Sequence, residues 1–229
     1  MKKHYAIILI GPPGSGKSSI AHQLAKHDQV EFIETGELLR QEMHKDSNLG
    51  KNVKWYLKSG KLAPTELVVQ VVDQQVAHVE SNTIIFDGSP RRPEEIDPFL
   101  KMLNDNDISI SRIIVFQMSR DEAFKRLSGR RKCSNCGKIY NIYYDPPEKE
   151  GVCDKCGGTL VQREDDKPNL VNERLQEFEK STAPVIRYFR QNYADKILEI
   201  DAQEPIEKVA NTILTQLQKE ATLEMPSAS

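Results

Sequence analysis

The sequence is poor in cysteine, in long apolar runs and in excess charge of either sign. Its 229 residues include four cysteines and one tryptophan, and 32 basic residues nearly balance 34 acidic ones, for a formal net charge of −2. This balance argues against a polyanion-binding protein, so we expect no nucleic acid partner. No stretch approaches the ~20 apolar residues that a membrane span requires, so we also expect no membrane association.

The start of the chain also lacks the features of a secretory signal. The start, Met-Lys-Lys-His at residues 1–4, contains two lysines and is followed by only six apolar residues, 5–10, before Gly11 and Pro12 interrupt the run. A signal peptide has a longer apolar segment and a small-residue cleavage site. We therefore expect a soluble cytoplasmic protein, in a compartment where disulfides are rare and clustered cysteines more often bind metal.

Short apolar runs without polar alternation recur along the chain and are typical of buried strands. They are residues 5–10, 31–33, 83–87, 112–116 and 196–200. Helical spacing separates them, for example in residues 67–76 and 206–217. Such a pattern indicates a parallel sheet covered by helices on both faces, and predicts an α/β, three-layer P-loop fold with a five-stranded parallel sheet.

Two regions interrupt that pattern and predict inserted lobes. Residues 34–63 are polar with helical spacing, whereas residues 129–166 are rich in turns and contain every cysteine. The predicted core therefore consists of residues 1–33, 64–128 and 167–229. Within it, residues 221–229 are small, polar or interrupted by proline, and we expect a disordered tail there.

The clearest motif lies directly between a predicted strand and a predicted helix. Residues 11–18, Gly-Pro-Pro-Gly-Ser-Gly-Lys-Ser, satisfy G-x-x-x-x-G-K-[ST], a phosphate-binding loop. Its glycines let successive backbone N–H groups face phosphate oxygens, and Lys17 is expected along the β and γ phosphates. A hydroxyl of Ser18 or Ser19 and the carboxylate of Asp87, at the end of another strand, are expected around Mg²⁺, with Asp87 binding through water. The alternative interpretation of residues 11–18 is a tight turn between strand and helix that binds no phosphate.

The four cysteines form two C-x-x-C pairs separated by sixteen residues: Cys133, Cys136, Cys153 and Cys156. This is the spacing of a structural zinc site, and four protein ligands leave no open position for catalysis. The five histidines lie far away in sequence. A redox pair would open a helix in a thioredoxin-like context, and neither pair does.

Several arginines occupy positions that suit phosphoryl transfer, although a lone arginine is usually a solvated surface charge. They are Arg40, Arg91, Arg126, Arg130, Arg131, Arg163 and Arg174. A transferred phosphoryl group carries delocalised negative charge, so an enzyme that moves it would gather arginines from different segments.

Several motifs in the same order make the sequence, from Tyr5 to about Leu217, similar to the adenylate kinase family of the long-lid, zinc-binding type. The matching segments are residues 11–17, 34–40, 60–64, 87–91, 126–131, 163–166 and Arg174. The string Asp-Gly-Ser-Pro-Arg at 87–91 resembles the family's most diagnostic signature, D-G-[FY]-P-R. Residues 34–63 would then be a nucleoside monophosphate (NMP)-binding lobe, and residues 129–166 a zinc-ribbon-like lid.

The resemblance implies reversible, Mg²⁺-dependent phosphoryl transfer from ATP to AMP, giving two ADP, with both lobes closing over the substrates. It implies catalytic roles for Lys17, Arg91, Arg126, Arg130, Arg163 and Arg174. ATP would contact Gly14, Ser15, Gly16, Lys17, Ser18, Ser19, Arg126, Arg130, Ile139, Tyr140 and Glu204. AMP would contact Thr35, Arg40, Lys61, Leu62, Ala63, Gly88, Ser89, Pro90, Arg91, Glu95, Arg163 and Arg174. We expect a monomer.

The sequence departs from the family mainly around the acceptor. Ser18-Ser19 stands where Gly-Thr is usual, Ser89 replaces an aromatic residue, and Arg92 adds a positive charge. Glu95 stands where a glutamine normally reads adenine; a carboxylate accepts hydrogen bonds but cannot donate to N1. GMP, CMP or UMP is therefore an alternative acceptor. A zinc-ribbon module that binds nucleic acid is a further alternative, which the near-neutral charge disfavours.

Overall fold

The computed structural model describes residues 4–25, 30–58 and 63–224, with side chains described up to residue 217. Five strands form a parallel sheet in the order β2-β3-β1-β4-β8. They are β1 (His4–Ile10), β2 (Val30–Glu34), β3 (Thr83–Asp87), β4 (Ile108–Gln117) and β8 (Ile197–Asp201). This arrangement confirms the predicted five-stranded parallel sheet.

Helices cover the sheet and also form the insert at residues 34–63. They are α1 (Lys17–Leu24), α2 (Thr35–Glu42), α3 (Asn48–Lys58), α4 (Thr65–Val76), α5 (Pro93–Asp105), α6 (Arg120–Gly129), α7 (Pro168–Glu177), α8 (Ala183–Asn192) and α9 (Ile206–Glu224). Helix α9 extends four residues into segment 221–229, where we expected a disordered tail. The helix continues there because the helical spacing of apolar residues continues past Leu217. No helix in the described ranges is long and apolar enough to cross a membrane.

The core lies on both faces of the parallel sheet, which explains the unbroken apolar runs. In β1, Ala6, Ile8 and Ile10 pack against α4, α5 and α8, whereas Ile7 and Leu9 pack against α1 and α9. Successive strand residues point to opposite faces, so a strand covered on both sides is apolar at every position. The three-layer α/β prediction is confirmed.

A second, antiparallel sheet forms inside the cysteine-rich insert. Its order is β6-β5-β7, with β5 (Arg130–Cys133), β6 (Ile139–Asn141) and β7 (Leu160–Val161). Its buried cluster contains only Cys133, Tyr140, Cys153 and Leu160. So small a core rarely stabilises a lobe without a disulfide or a metal. We call residues 129–166 the lid and residues 34–63 the NMP lobe, as the sequence predicts these boundaries.

Parallel strands bring their carboxyl ends to one edge of the sheet, and the functional segments follow from there. Residue Leu9 of β1 pairs with Asp87 of β3, so the loop after β1 begins beside that carboxylate. Ligands of open α/β sheets bind at this edge.

Candidate active site

The loop between β1 and α1 has the geometry of a phosphate-binding loop. Gly14 and Gly16 adopt left-handed backbone angles, φ 88° and 81°, which a side chain would strain. Gly11 lies so close to β4 that a Cβ there would come within 2.6 Å of Phe116 Cβ. Lys17 Nζ donates to the carbonyls of Gly11 and Pro12, both at 2.9 Å, so its ammonium lies over the loop.

Positive charge converges on Lys17 from distant parts of the chain. Burial lowers the pKa of Lys17 to about 8, against the opposing influence of Asp87. The charges of Arg91, Arg174 and Arg130 lower that pKa further, so these guanidinium groups lie within electrostatic reach of the ammonium. These residues come from the start of α1, from the segment after β3, from the lid and from α7. The structure thus brings together four of the six residues expected to be catalytic.

Ser18 and Asp87 form a pair of oxygen donors beside the loop. Ser18 Oγ donates to Asp87 Oδ2 at 2.6 Å, and Asp87 is only 4% exposed. Hydroxyl and carboxylate oxygens suit Mg²⁺, which keeps several of its waters, so this pair fits the predicted ion. Ser19, the alternative hydroxyl, has no described polar contact of its side chain, so the structure favours Ser18.

A buried carboxylate joins two of the arginines at the lid's exit. Asp166 is fully buried and accepts from Arg130 Nε at 2.8 Å and from Arg130 Nη2 at 2.6 Å. Arg174 Nη1 donates to the same carboxylate at 2.9 Å. The guanidinium of Arg163 makes no hydrogen bond within the described ranges, and burial lowers its pKa. Asp166 therefore fixes two arginines and, among the contacts of the described residues, leaves Arg130 Nη1 and Arg174 Nη2 free to donate.

Arg126 connects α6 to the segment that follows β8. It donates to Glu122 Oε1 at 2.7 Å and to the carbonyls of Ala202 and Gln203 at 2.7 and 2.8 Å. Its guanidinium carbon lies 5.7 Å from the centre of the Tyr144 ring. Glu204, predicted to contact ATP, comes directly after this anchored segment and forms an ion pair with Lys208.

The signature after β3 contacts the NMP lobe. The buried hydroxyls of Thr35 and Ser89 are hydrogen bonded at 2.8 Å, so Ser89 replaces apolar packing with a polar link. Gly88 has φ 91°, and a Cβ there would overlap the Arg91 guanidinium, so only glycine allows that close approach. Pro90 follows in a cis peptide bond.

The remaining predicted acceptor residues lie around the two ends of the NMP lobe. Arg40 is half-exposed and pairs with Glu37 at 2.8 Å and with Glu34 at 3.5 Å. Ala63 is buried at the far end of the lobe. Lys61 and Leu62 lie outside the described residues.

Glu95 is buried, and each of its carboxylate oxygens accepts a hydrogen bond. One of its carboxylate oxygens accepts the backbone N–H of Arg91 at 2.7 Å, and the other accepts Arg92 Nε at 2.8 Å. Arg92 also donates from Nη2 to the carbonyl of Ala63 at 2.8 Å. The buried carboxylate and the partly exposed guanidinium thus form one pair between the NMP lobe and α5, with Arg92 Nη1 still free among the described contacts.

The four cysteine sulfurs fit a tetrahedral metal ion. All lie within 4.8 Å of one another, with Cys133–Cys156 at 3.5 Å and Cys136–Cys153 at 3.6 Å. Sulfurs placed about 2.3 Å from a central zinc would be about 3.8 Å apart. The pKa of the Cys153 thiol is lowered to about 6, and a hydrogen bond from Tyr140 is the largest cause. The donor set and spacing therefore fit the predicted zinc site.

Two lid residues predicted to contact ATP differ in their surroundings. Tyr140 is 1% exposed, with its ring enclosed among the cysteines, whereas Ile139 is 38% exposed. They alternate because consecutive residues of β6 point to opposite faces. An ATP contact of Tyr140 would therefore be confined to its backbone.

The structure shows contacts of site residues that motif reading did not predict. Asp166 orients Arg130 and Arg174, Arg92 neutralises Glu95, and the Tyr144 ring lies beside Arg126. Asp166 stands in a matching segment of the sequence, yet only its burial distinguishes it from the exposed Asp165. No sequence signal identifies the other two roles.

Comparison with known proteins agrees with this geometry. A family model described as adenylate kinase matches residues 9–194. An adenylate kinase from Archaeoglobus fulgidus is 36% identical over 217 residues, covering 93% of this chain and 98% of that relative. One from Acidothermus cellulolyticus is 38% identical over 205 residues, covering 89% and 93% of the two chains. One from Caldicellulosiruptor bescii is 37% identical over 185 residues, covering 80% and 86%.

These matches extend through the loop, the lid and the arginine-bearing segments, so they concern the whole enzyme and not a nucleotide-binding motif alone. They support phosphoryl transfer between nucleotides as the reaction class. The chain belongs to the adenylate kinase family and is a nucleoside monophosphate kinase.

Proposed function

We propose that the enzyme reversibly transfers the γ-phosphoryl group of Mg²⁺-bound ATP to AMP and produces two ADP. The observation that carries the proposal is the Lys17 ammonium held over the phosphate-binding loop, together with the buried Asp166 that fixes Arg130 and Arg174. The acceptor is already an anionic phosphate, so no general base is required. Catalysis then consists of positioning the two phosphates and neutralising the charge that spreads over the transferred group.

The donor half of the site would lie along the loop after β1. The backbone N–H groups of residues 14–19 and the Lys17 ammonium would bind the ATP phosphates, and Arg126 and the segment at Glu204 would bind near the base. Ser18 and Asp87 would hold Mg²⁺, partly through water. When bound, the ion neutralises charge on the β and γ phosphates.

The acceptor half would lie between the NMP lobe and the start of α5. Arg40, Arg91, Arg163 and Arg174 offer guanidinium groups for the acceptor phosphate, which suits their bidentate geometry. The buried Thr35–Ser89 pair and Gly88 would line the space next to it.

The Arg92–Glu95 pair supports adenine as the acceptor base. An amide supplies both an acceptor and a donor, and the pair supplies both as well, from a Glu95 oxygen and from Arg92 Nη1. The carboxylate would accept from the adenine amino group while the guanidinium donates to N1. The missing donor of Glu95 is thereby replaced by its neighbour.

GMP is the second candidate, because the same carboxylate suits the adjacent N1–H and amino hydrogens of guanine. A coupled assay with Mg²⁺, ATP and equal concentrations of AMP, GMP, CMP and UMP separates the two. We expect the highest kcat/KM with AMP and its loss in Lys17→Ala. A kcat/KM for GMP well above that for AMP would refute AMP as the acceptor.

Lobe closure is part of the proposal. The charge of Lys132 in the lid lowers the pKa of Glu37 in the NMP lobe, behind the stronger effect of Arg40, so the two lobes lie within electrostatic reach. Closure over bound substrates would exclude water and suppress ATP hydrolysis; adenylate kinase lids are an established example of such a motion. Zinc at the four cysteines would stabilise the lid without taking part in the reaction.

A further inference from the structure

The lid contains a buried tyrosine whose hydroxyl lies against the cysteine cluster. Tyr140, in β6, is 1% exposed and packs with Cys133, Cys153 and Leu160. Its hydroxyl oxygen lies 3.4 Å from Cys153 Sγ, and the backbone N–H of Asp154 donates to that oxygen at 2.9 Å. Lys138 also hydrogen bonds to this hydroxyl, and these contacts together give it a defined orientation.

The direction of the hydrogen bond to sulfur follows from what each group can do. A neutral phenol carries one proton, which Tyr140 can donate. The N–H of Asp154 already donates to its oxygen, which leaves the proton for Cys153 Sγ. A metal-bound cysteine is a thiolate without a proton, so it can only accept.

We infer that Tyr140 is a positioning residue of the lid metal site, whose O–H···S hydrogen bond to Cys153 fixes that thiolate and strengthens metal binding. This rests on the proposed zinc site. Four thiolates give a zinc ion an excess of two negative charges, and a donor buried beside one of them disperses part of that charge. Outer hydrogen bonds of this kind orient metal ligands and tune the metal.

The contrast with the other sulfur contacts favours a specific role for Tyr140. Cys133 Sγ accepts a backbone N–H from Cys136 at 3.5 Å, a contact local to its own turn. Cys156 Sγ receives the Asn135 amide at 3.7 Å, on the exposed side of the site. Tyr140 donates from the buried side and comes from a different strand than the ligand turns. A hydrogen bond in a buried site is less weakened by water.

The same residue connects the metal site to β5, the strand that contains Arg130. Tyr140 pairs with Arg131 in the small sheet, and the next pair joins Asn141 to Arg130. Fixing Tyr140 on Cys153 therefore also fixes the strand that carries Arg130.

The test is Tyr140→Phe in the full-length enzyme, which keeps the ring and removes the hydroxyl. Its matched control is Tyr143→Phe, a tyrosine three positions away that is 53% exposed and contacts no cysteine sulfur in the described contacts. Zinc affinity is measured by competition with a chelator of known affinity. We expect about a 10-fold loss in Tyr140→Phe, the lower end for residues of this kind, and no change in the control.

A second measurement separates hydrogen bonding from packing. In the Co²⁺-substituted enzyme, loss of a donor to sulfur raises the energy of the thiolate lone pair, so the thiolate-to-cobalt charge-transfer band should move to longer wavelength in Tyr140→Phe. Equal zinc affinity and an unchanged band would overturn the inference. A wild-type enzyme that binds neither ion would instead refute the proposed metal site and the role built on it, while phosphoryl transfer would be tested separately.

Discussion

Asp166 is the residue whose loss should reveal how the arginines are held. It is fully buried, and three N–H groups from Arg130 and Arg174 donate to it at 2.6 to 2.9 Å. In Asp166→Asn the amide oxygen can keep the two bonds at Oδ1. Its NH₂ group then replaces Oδ2 and faces the N–H of Arg130, so that bond becomes donor against donor. The negative charge is lost as well.

The expected magnitude follows from those contacts. A hydrogen bond to a charged group contributes about 1.5–3 kcal/mol, and about half of that when the acceptor is neutral. One bond lost and two weakened, offset by the lower cost of burying an amide, gives about 3 kcal/mol of destabilisation. At about 2–4 °C per kcal/mol for a chain of this size, the Tm falls by about 6–12 °C. Misplaced arginines should lower kcat by about 100-fold.

The assay combines thermal unfolding with steady-state kinetics at saturating ATP and AMP. Asp165→Asn is the matched control, since Asp165 pairs with the same Arg174 at 3.0 Å but is 54% exposed. An exposed pair contributes less than about 1 kcal/mol, so Asp165→Asn should stay near wild type in Tm and kcat. A kcat for Asp166→Asn within about twofold of wild type, or an equal loss in the control, would refute this account of the arginines.

Three further predictions concern other parts of the site. Burial lowers the pKa of Lys17 to about 8, so kcat/KM for ATP should fall as pH rises through that value. The value of kcat, which is measured with the phosphates bound, should change less. Equal falls in kcat/KM and kcat would contradict this prediction. Arg92→Ala should raise the KM for AMP about tenfold and leave the KM for ATP unchanged, because one base contact is lost and Glu95 loses its counter-charge. Steady-state kinetics with each substrate varied measures both constants, and an unchanged KM for AMP would contradict the prediction. Cys153→Ser should lower the melting temperature more than kcat at moderate temperature; an unchanged Tm with equal activity loss at all temperatures would exclude a structural metal.

The local patterns of the sequence predicted the main architecture because each reports its own surroundings. Unbroken apolar runs mark strands covered on both faces, and the glycines around Lys17 mark a turn with left-handed backbone angles. Strand β4 is longer than predicted, beginning at Ile108 instead of Arg112. In residues 108–111, isoleucine alternates with serine. There β4 pairs with β1 but not with β8, whose pairing begins at Ile113, and the apolar run of the predicted strand is therefore interrupted.

The contacts that join distant segments could not be read in advance. Asp165 and Asp166 are adjacent and chemically identical, and only folding buries one between two arginines. Tyr140 stands in a segment that the resemblance assigns to ATP, yet the pleat of β6 turns its side chain towards the cysteines. Arg92, a departure from the family in sequence, balances Glu95 in the structure.

The most direct test of the proposed reaction starts from ADP alone. Incubated with Mg²⁺ and the enzyme, ADP should convert to equal amounts of ATP and AMP, followed by ³¹P NMR, with no conversion by Lys17→Ala. Since the reaction is reversible, an enzyme that forms ATP and AMP from two ADP also uses AMP as the acceptor when ATP is the donor. If ADP stays unchanged while the same enzyme converts ATP and GMP to ADP and GDP, the assignment of AMP as the acceptor is wrong.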